Sequence, residues 1–312
     1  MRAYIFPGQG SQSVGMGKAL AEASATARAV FQEVDEALGQ NLARLMAEGP
    51  QDELTLTENA QPAIMANAIA TLRVLVREGG VTLADKAAFV AGHSLGEYSA
   101  LCAAESLDLA TTARLLKLRG RAMQAAVPVG QGAMAALLGL GLETAQQVAA
   151  EAAAQGEVCT VANDNDPGQV VISGHKAAIE RSLEIAKAKG AKRALLLPVS
   201  APFHCPLMQP AADAMAQALG EAQLRPPVVP LYANVTAAPV EEPADIRRLL
   251  VDQVTGMVRW RESVAAMAEA GVTHFAEFGG KVLAPMVKRI APEAKTTSVI
   301  SMDDIEALVK EI

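Results

Sequence analysis

Aromatic residues are scarce in this chain: Phe, Trp and Tyr together make up 3% of its 312 residues, although 51% of the residues are hydrophobic. A core with so few rings must consist of Ala, Leu, Val and Met, which allow helices to pack closely on a sheet. The length provides ample material for such a core, either as one large domain or as a large domain with a small insertion.

Cysteine is also sparse, with three residues (Cys102, Cys159 and Cys205) and no paired spacing between them. This pattern argues against a disulfide framework and against a zinc site. We therefore expect no bound metal, and we expect the protein in a reducing, cytoplasmic compartment.

Excess basic charge and long apolar runs are missing as well. The formal net charge is −7, which disfavours nucleic-acid binding. No apolar run reaches the ~18 residues typical of a membrane span, and the first residues lack a signal-peptide pattern. We expect neither a nucleic-acid partner nor a membrane span.

The most informative stretch is 87–104. The apolar run 87–91 is typical of a buried parallel strand, and 97–104 consists of good helix formers. Between them the sequence GHSLG at 92–96 places Ser94 between two glycines, as in a nucleophile elbow. So sharp a turn strains its central residue and directs the side-chain oxygen toward the N–H groups that begin a helix. We predict that Ser94 is a nucleophile rather than an ordinary turn serine.

A glycine-rich loop at 7–12 follows the first predicted strand, 3–6. It lacks the glycine spacing and the Lys-Ser/Thr pair of a phosphate-binding loop, so its backbone must approach something else closely. Loops at the carboxyl ends of parallel strands meet at one edge of the sheet, which places this loop beside the elbow. An oxyanion hole needs two convergent N–H groups, and we predict that Leu95 and Gln9 supply them. The alternative for Gln9 is a role in an ordinary tight turn.

The helix predicted at 109–126 carries a charged residue on its apolar face. At about 100° per residue, Leu115, Leu116 and Met123 lie within about 60° of Arg119. A guanidinium cannot lose its charge, and an unpaired buried charge is very costly, so Arg119 must find an anion. That anion is either an internal Asp or Glu or the carboxylate of a substrate, held by two guanidinium nitrogens.

Two further segments contribute candidate pocket residues. A helix predicted to begin at Gln61 and to end at Arg77 is interpreted as scaffold, with Gln61 as a candidate that faces the pocket. Between 128 and 198 the elements follow the order βαββαβ, the split βαβ of a ferredoxin-like subdomain. Asn163 and Asn165 lie in the Asn-Asp-Asn-Asp-Pro-Gly segment, where they either form a turn or wall the active-site cleft. We retain Asn163 as a substrate-binding candidate.

After this insertion the chain alternates between strand and helix again. Further strands are predicted at 228–233, 274–277 and 297–300. We predict an α/β fold: a large α/β-hydrolase-like domain (1–127 and 199–312) with a central, mostly parallel sheet, and an inserted ferredoxin-like α+β subdomain (128–198).

Four histidines compete for the role of general base. His204 lies in a loop between a strand and a helix and is bracketed by two prolines, so its position is rigid. Near a helix amino terminus its imidazole stays neutral, as a base for Ser94 must. No acid is placed to complete a triad. We therefore expect a Ser–His dyad whose imidazole N–H is held by a neutral acceptor such as a backbone carbonyl.

The other three histidines are poorer candidates. His93 adjoins the nucleophile, but its side chain points away from it on a turned strand. His175 opens a helix, where capping or solvation is the expected role. His274, with Asp252 as its acid, would satisfy the chain order of an α/β-hydrolase triad, but it precedes a strand rather than following one.

Five motifs together resemble the malonyl-CoA:acyl carrier protein transacylase family. They are FPGQGSQ at 6–12, GHSLGEYSA at 92–100, Arg119 within KLRGRAM, PFH at 202–204 and Gln253. The resemblance extends from Ala3 to Ile290. The chain departs from the family at 278–281, where it reads Phe-Gly-Gly-Lys and many relatives have Gly-Pro-Gly-Lys; this concerns the local loop and not the chemistry.

The resemblance implies transfer of a malonyl group from malonyl-CoA to the phosphopantetheine thiol of acyl carrier protein, through a malonyl-serine, in fatty acid biosynthesis. The implied site consists of Ser94 as acyl acceptor, His204 as base, Arg119 as clamp on the malonyl carboxylate, the backbone N–H groups of Gln9 and Leu95 as oxyanion hole, and the main-chain carbonyl of Gln253 as the acceptor that orients His204. The coenzyme A thioester is a substrate, no cofactor is expected, and the protein is expected to be monomeric.

Other functions remain open at this stage. An acyltransferase of the same chemistry could serve polyketide synthesis or a malonate decarboxylase. A serine esterase or lipase would share the elbow but should not bury Arg119 beside it. A non-catalytic scaffold would take no covalent label from malonyl-CoA.

Overall fold

The structure is a computed structural model that describes residues 1–199 and 201–312. Within them the strands are β1 (Arg2–Phe6), β2 (Phe89–Gly92), β3 (Gly132–Leu138), β4 (Cys159–Asp166), β5 (Gln169–His175), β6 (Arg193–Leu196), β7 (Leu231–Ala233), β8 (Ala238–Val240), β9 (His274–Phe278) and β10 (Lys295–Val299). The helices are α1 (Lys18–Ala23), α2 (Ala25–Leu38), α3 (Leu42–Glu48), α4 (Gln51–Thr55), α5 (Thr57–Arg77), α6 (Leu83–Lys86), α7 (Gly96–Ala103), α8 (Leu109–Ala125), α9 (Leu142–Ala152), α10 (Lys176–Ala188), α11 (Gln209–Glu221), α12 (Pro243–Thr255), α13 (Trp260–Glu269), α14 (Leu283–Ile290) and α15 (Met302–Glu311). A short 3-10 helix, Pro206–Met208, precedes α11.

The larger sheet has the strand order β10-β9-β1-β2-β7-β8. All neighbouring strands are parallel except β7 and β8, which are antiparallel. Phe6 is paired with Gly92, so β1 and β2 end at the same edge of the sheet. The predicted mostly parallel sheet is confirmed, and the loop after β1 lies where the elbow after β2 begins.

The segment from β3 to β6 forms a second, four-stranded sheet with the order β4-β5-β3-β6, in which all neighbours are antiparallel. Apolar residues of α9 and α10, including Val148 and Ile179, pack with Ile172 of β5 in a core of their own. The predicted βαββαβ order is confirmed, and with it the fold class. The domain boundaries placed at 128 and 198 remain a prediction.

The turn predicted for the Asn-Asp-Asn-Asp-Pro-Gly segment is shorter in the structure, where only its last two residues form it. The Asn-Asp-Asn-Asp run is not a turn, since β4 continues through Asp166 and only Pro167 and Gly168 connect it to β5. Register shifts at Val161/Asn163 and Asp164/Asp166 allow the strand to keep its pairing through these polar residues. Asn163 is therefore a buried strand residue and not a turn former.

Other boundaries also differ from prediction. Helix α5 begins at Thr57, so Pro62 lies inside it rather than in its first turn. Almost every residue of this helix is buried, and tertiary packing of that extent outweighs the loss of one backbone donor. Strand β7 is shorter than predicted, and the hairpin to β8 was not anticipated.

Helix α8 brings a functional face against α5. Its N-cap is Asp108, whose carboxylate accepts the N–H of Thr111 at 2.7 Å. Gly120 permits the close approach, since a Cβ there would lie 2.6 Å from the Cα of Glu58. No helix among the described residues combines the length and the apolar composition needed to cross a membrane.

Candidate active site

The turn between β2 and α7 holds Ser94 in a left-handed conformation, with φ 55°. Only glycine fits two residues before it and two residues after it. A Cβ on Gly92 would lie 1.8 Å from the carbonyl oxygen of Gly96, and a Cβ on Gly96 would lie 2.3 Å from the carbonyl oxygen of Phe6. The predicted elbow is therefore present, and its glycines are required by backbone contacts.

The loop after β1 lies against this elbow, as predicted. A Cβ on Gly8 would approach the carbonyl oxygen of His93 to 2.7 Å. The backbone N–H groups of Gln9 and Leu95 have no acceptor among the described residues. The side chain of Gln9 accepts a hydrogen bond from the Thr57 hydroxyl at 3.1 Å. Both predicted N–H donors are thus available at the edge where the serine lies.

The predicted serine and histidine are brought together. The Oγ of Ser94 lies 2.7 Å from Nε2 of His204, and Nδ1 of His204 lies 2.9 Å from the main-chain carbonyl oxygen of Gln253. A carbonyl can only accept, so Nδ1 carries the proton and Nε2 is left to accept one from the serine. This arrangement is a dyad with a neutral orienting acceptor.

His204 is kept neutral. Burial and, to a lesser extent, the nearby Arg119 guanidinium lower the pKa of His204 to about 3. The sequence predicted neutrality from a helix terminus, whereas burial and a cation are the main causes in the structure. At neutral pH the imidazole is a proton acceptor in the free protein.

Arg119 faces inward, as predicted, and is 1% exposed. Its Nη2 donates to Ser94 Oγ at 3.2 Å and to the side-chain oxygen of Gln253 at 2.8 Å, and its Nη1 donates to the side-chain oxygen of Gln61 at 2.8 Å. Its ring neighbour is Tyr98, 5.8 Å from the guanidinium carbon to the ring centroid.

No carboxylate completes this arrangement. Within the described part of the chain, Arg119 forms no ion pair, and its buried Nε has no hydrogen-bond partner. Neutral amide oxygens hold the cation beside the serine, so the internal salt bridge considered from the sequence is absent there. A buried cation without an anionic partner is costly, which favours the binding of an anionic ligand at Arg119.

Two buried polar residues of the site were missed by sequence reasoning. Asn234, directly after β7, accepts the Ser94 N–H at 2.8 Å and donates to the Gly92 carbonyl at 2.7 Å. Glu97, in the first turn of α7, accepts from the side-chain amide of Gln253 at 2.6 Å. The signals were a polar residue at a strand's carboxyl end and the one charged residue of α7.

The remaining predicted residues lie farther from the dyad. Nε2 of His93 is hydrogen-bonded to the side-chain oxygen of Asn165 at 2.8 Å. Asn163 is buried on β4 and makes no hydrogen bond to Ser94, His204 or Arg119 in the described residues.

The two other histidines have structural partners. His175 accepts the N–H of Val158 at 2.7 Å, and His274 is hydrogen-bonded to the hydroxyl of Thr297 at 2.9 Å. Neither contacts Ser94.

The loop at 278–281, where the chain departs from the family motif, packs beside the site. Gly279 has φ 76° and its carbonyl accepts from the Asn67 side chain at 2.9 Å. A Cβ on Gly280 would lie 2.8 Å from Pro7. The loop therefore supports the segment that carries Gln9.

A serine on an elbow of a mostly parallel sheet, hydrogen-bonded to a neutral histidine, is the arrangement that serine-dependent acyl transfer requires. The family model described as acyl transferase domain matches residues 3–286, and the chain belongs to that family. The match agrees with the resemblance seen from Ala3 to Ile290.

Similar proteins are more specific in their names. The malonyl CoA-acyl carrier protein transacylase of Bacillus subtilis (strain 168) is 44% identical over 311 residues, which cover 99% of this chain and 96% of the relative. The crystal structure of an acyl-carrier-protein-S-malonyltransferase from Bartonella henselae is 51% identical, with a TM-score of 0.97 and coverage of 99% and 98%. In a solved complex of a type II PKS (polyketide synthase) acyl-carrier protein with its malonyl-transacylase, the matching chain is 41% identical, with a TM-score of 0.95. The match covers 100% of this chain and 99% of that one.

Proposed function

We propose that this protein transfers the malonyl group of malonyl-CoA to the phosphopantetheine thiol of acyl carrier protein, through a malonyl-serine intermediate, in fatty acid biosynthesis. The observation that carries the proposal is the Arg119 guanidinium, which donates to Ser94 Oγ at 3.2 Å and has no carboxylate partner among the described residues. A substrate with an acyl group on one end and a carboxylate on the other fits this pair. The names of the similar proteins support the same reaction.

The first half-reaction acylates the enzyme. His204 takes the Ser94 proton on Nε2 while the Gln253 carbonyl holds its Nδ1–H, and the serine oxygen attacks the thioester carbonyl. The N–H groups of Leu95 and Gln9 then stabilise the oxyanion; one such donor typically contributes ~3 kcal/mol. The tetrahedral intermediate collapses, the C–S bond breaks, and the coenzyme A thiolate takes the proton from His204.

The second half-reaction reverses these steps with a different thiol. His204 takes the proton of the phosphopantetheine thiol, the thiolate attacks the malonyl-serine ester, and Ser94 regains its proton as the C–O bond breaks. Because both halves use the same dyad, the kinetics are of the ping-pong type.

Arg119 selects the acyl group. A malonyl carboxylate bound to it satisfies a buried cation with charge-assisted hydrogen bonds, whereas an acetyl group brings no carboxylate to it. Gln61 contributes by holding Nη1 at 2.8 Å, which orients the guanidinium. Asn163 is the remaining substrate-binding candidate, and its burial on β4 supports a wall of the cleft rather than a direct contact with the dyad.

Several further features belong to the proposal. The three cysteines are buried and free, which fits a cytoplasmic protein. The thioester is a substrate, so no cofactor is needed, and we expect the protein to act as a monomer. The division into a large domain (1–127 and 199–312) and an inserted subdomain (128–198) is supported by the two separate sheets.

A second candidate differs only in the carrier protein. The similar protein solved with a type II PKS acyl-carrier protein favours polyketide synthesis as an alternative pathway for the same chemistry. A malonate decarboxylase would be another user of it. An esterase is disfavoured because Arg119 is buried beside the elbow.

Intact-mass spectrometry after mixing with malonyl-CoA tests the proposal. We expect a mass increase of one malonyl group, lost from the enzyme and gained by holo-acyl carrier protein when the carrier is added. A Ser94→Ala variant should remain unlabelled. Comparing fatty-acid and polyketide carriers under the same conditions distinguishes the pathways, and rapid hydrolysis of the labelled serine without a carrier would indicate an esterase instead.

A further inference from the structure

Glu97 is a buried carboxyl group that the reaction scheme does not use. It is 1% exposed, and its Oε2 accepts the Gln253 side-chain N–H at 2.6 Å and the Asn234 backbone N–H at 3.3 Å. A glutamate is almost never buried to this extent unless it is paired. Both of its hydrogen-bond partners among the described residues are neutral, and the cation that acts on it electrostatically is Arg119.

The side chain of Gln253 connects the two charges. Its Oε1 accepts from Arg119 at 2.8 Å, and its Nε2 donates to Glu97 at 2.6 Å. A flipped amide would place its donors against the guanidinium and its oxygen against the carboxylate, so only this orientation satisfies both ends. The amide dipole is therefore aligned between an acid and a cation.

The surroundings of Glu97 contain few other charges. Tyr98, on the same helix, has a raised pKa because of burial and stays neutral; the buried His93 and His204 both have lowered pKa values, chiefly because of burial. The elements that pack against α7 are β1, β2, β7, α5 and α8. Among their described residues, no ionisable side chain forms a hydrogen bond or an ion pair with Glu97; Arg119 of α8 acts on it only electrostatically. The site thus holds one cation and one ionisable acid.

Either charge state of Glu97 is accessible. Burial raises the pKa of Glu97 to about 7, while its hydrogen bonds from Gln253 and Asn234 and the charge of Arg119 favour the ionised form. A second carboxylate placed on Arg119 would give the site two anions for one cation, which favours protonation of the buried one.

We propose that Glu97 is a positioning residue that balances the charge of Arg119 through Gln253 in the free enzyme and takes up one proton from solvent when the carboxylate of the substrate binds Arg119. The Glu97 carboxylate gains an O–H bond on binding and loses it when the malonyl group leaves, and no other bond changes. This inference rests on the proposed function, because it needs a malonyl carboxylate at Arg119.

Calorimetry in buffers of different ionisation enthalpy measures the proton directly. We suggest titrating malonyl-CoA, and acetyl-CoA as the matched ligand without a carboxylate, into a Ser94→Ala protein near pH 8, with and without Glu97→Gln. We expect about one proton taken up with malonyl-CoA, about none once Glu97 is Gln, and no such difference with acetyl-CoA. When the pH is raised by one unit from pH 8, the Kd for malonyl-CoA should increase about tenfold more in the protein that retains Glu97 than in the Glu97→Gln variant.

Two further variants separate charge from burial. Glu97→Asp keeps the acid and should retain the proton uptake. Glu277→Gln removes another buried carboxyl group, one that accepts backbone N–H groups of α14 outside the dyad, and should leave the uptake unchanged.

The possible outcomes distinguish this inference from the proposed function. Equal proton uptake with and without Glu97, when malonyl-CoA still binds, would overturn the role of Glu97 alone. Failure of malonyl-CoA to acylate the unmodified protein would overturn the proposed function. If the Gln variant does not fold, infrared difference spectra of the Ser94→Ala protein decide: malonyl-CoA should produce the C=O band of a protonated carboxyl group, and its absence would count against the inference.

Discussion

Ser94 and His204 share a hydrogen bond of 2.7 Å, and both hold their backbone in the left-handed region, with φ 55° and 56°. Non-glycine residues in such conformations cost of order 1–3 kcal/mol each and persist only where the surrounding structure over-determines them. For Ser94 the determinants are the backbone contacts at Gly92 and Gly96; for His204 they are a loop bracketed by prolines and the carbonyl of Gln253. The rest of the fold therefore stabilises the strain at both members of the pair.

Gly96→Ala tests the role of the elbow contacts. The added Cβ would lie 2.3 Å from the carbonyl oxygen of Phe6, so the first loop must move, which should cost ~1–3 kcal/mol of stability and slow acylation. Urea unfolding and the acylation rate measure the two effects. Gly220→Ala, on an open face of α11, is the matched control; it should raise stability by ~0.5–1 kcal/mol, and acylation should be unaffected.

Arg119→Ala tests the proposed clamp. Hydrogen bonds to a charged group contribute ~1.5–3 kcal/mol, so the ratio of malonyl to acetyl transfer should fall by roughly 10- to 100-fold. The kcat/KM values with the two thioesters give this ratio. Arg121→Ala removes an exposed arginine of the same helix, paired with Glu58, and should leave the ratio unchanged. An unchanged ratio in the Arg119 variant would contradict the clamp.

The buried imidazole predicts a pH-dependent stability. The pKa of His204 is lowered to about 3, whereas an unfolded histidine titrates near its ordinary value of 6.5, so in between only the unfolded chain binds the proton. The contribution of His204 to stability is therefore present above pH 6.5 and is lost as the pH falls toward 3, at about 1.4 kcal/mol per pH unit.

Urea unfolding of the protein and its His204→Gln variant at several pH values between 4 and 7 measures this difference. The stability of the unmodified protein should rise with pH relative to the variant. Glu97 acts in the opposite direction, since its pKa is raised, but it is present in both proteins and cancels. Parallel pH curves for the two proteins would show that His204 is not held neutral.

Asn234→Ala tests the link between β7 and the elbow. It leaves the N–H of Ser94 and the carbonyl of Gly92 without their side-chain partner, which should cost ~1–3 kcal/mol and slow acylation. Asn41→Ala, which removes an exposed helix cap on α3, should cost ~1 kcal/mol and leave acylation intact. If the acylation rates of the two variants were equal, Asn234 would only stabilise the fold.

Features with a local pattern were accessible from the amino-acid sequence. The elbow needs glycines two residues before and after its serine, and the helical period alone turns Arg119 toward the core. The order of elements along the chain predicted both sheets for the same reason, since hydrophobic periodicity changes where each element ends.

The charge balance of the site was decided only by the tertiary structure. Gln253 meets Arg119 across a sequence separation of 134 residues and Glu97 across one of 156, and no local pattern announces such partners. The burial of Asn163 likewise depends on a strand that pairs through a polar run whose composition favours a turn. Local chemistry thus determined which residues could react, and long-range packing decided what surrounds them, because burial and pairing arise only when distant segments meet.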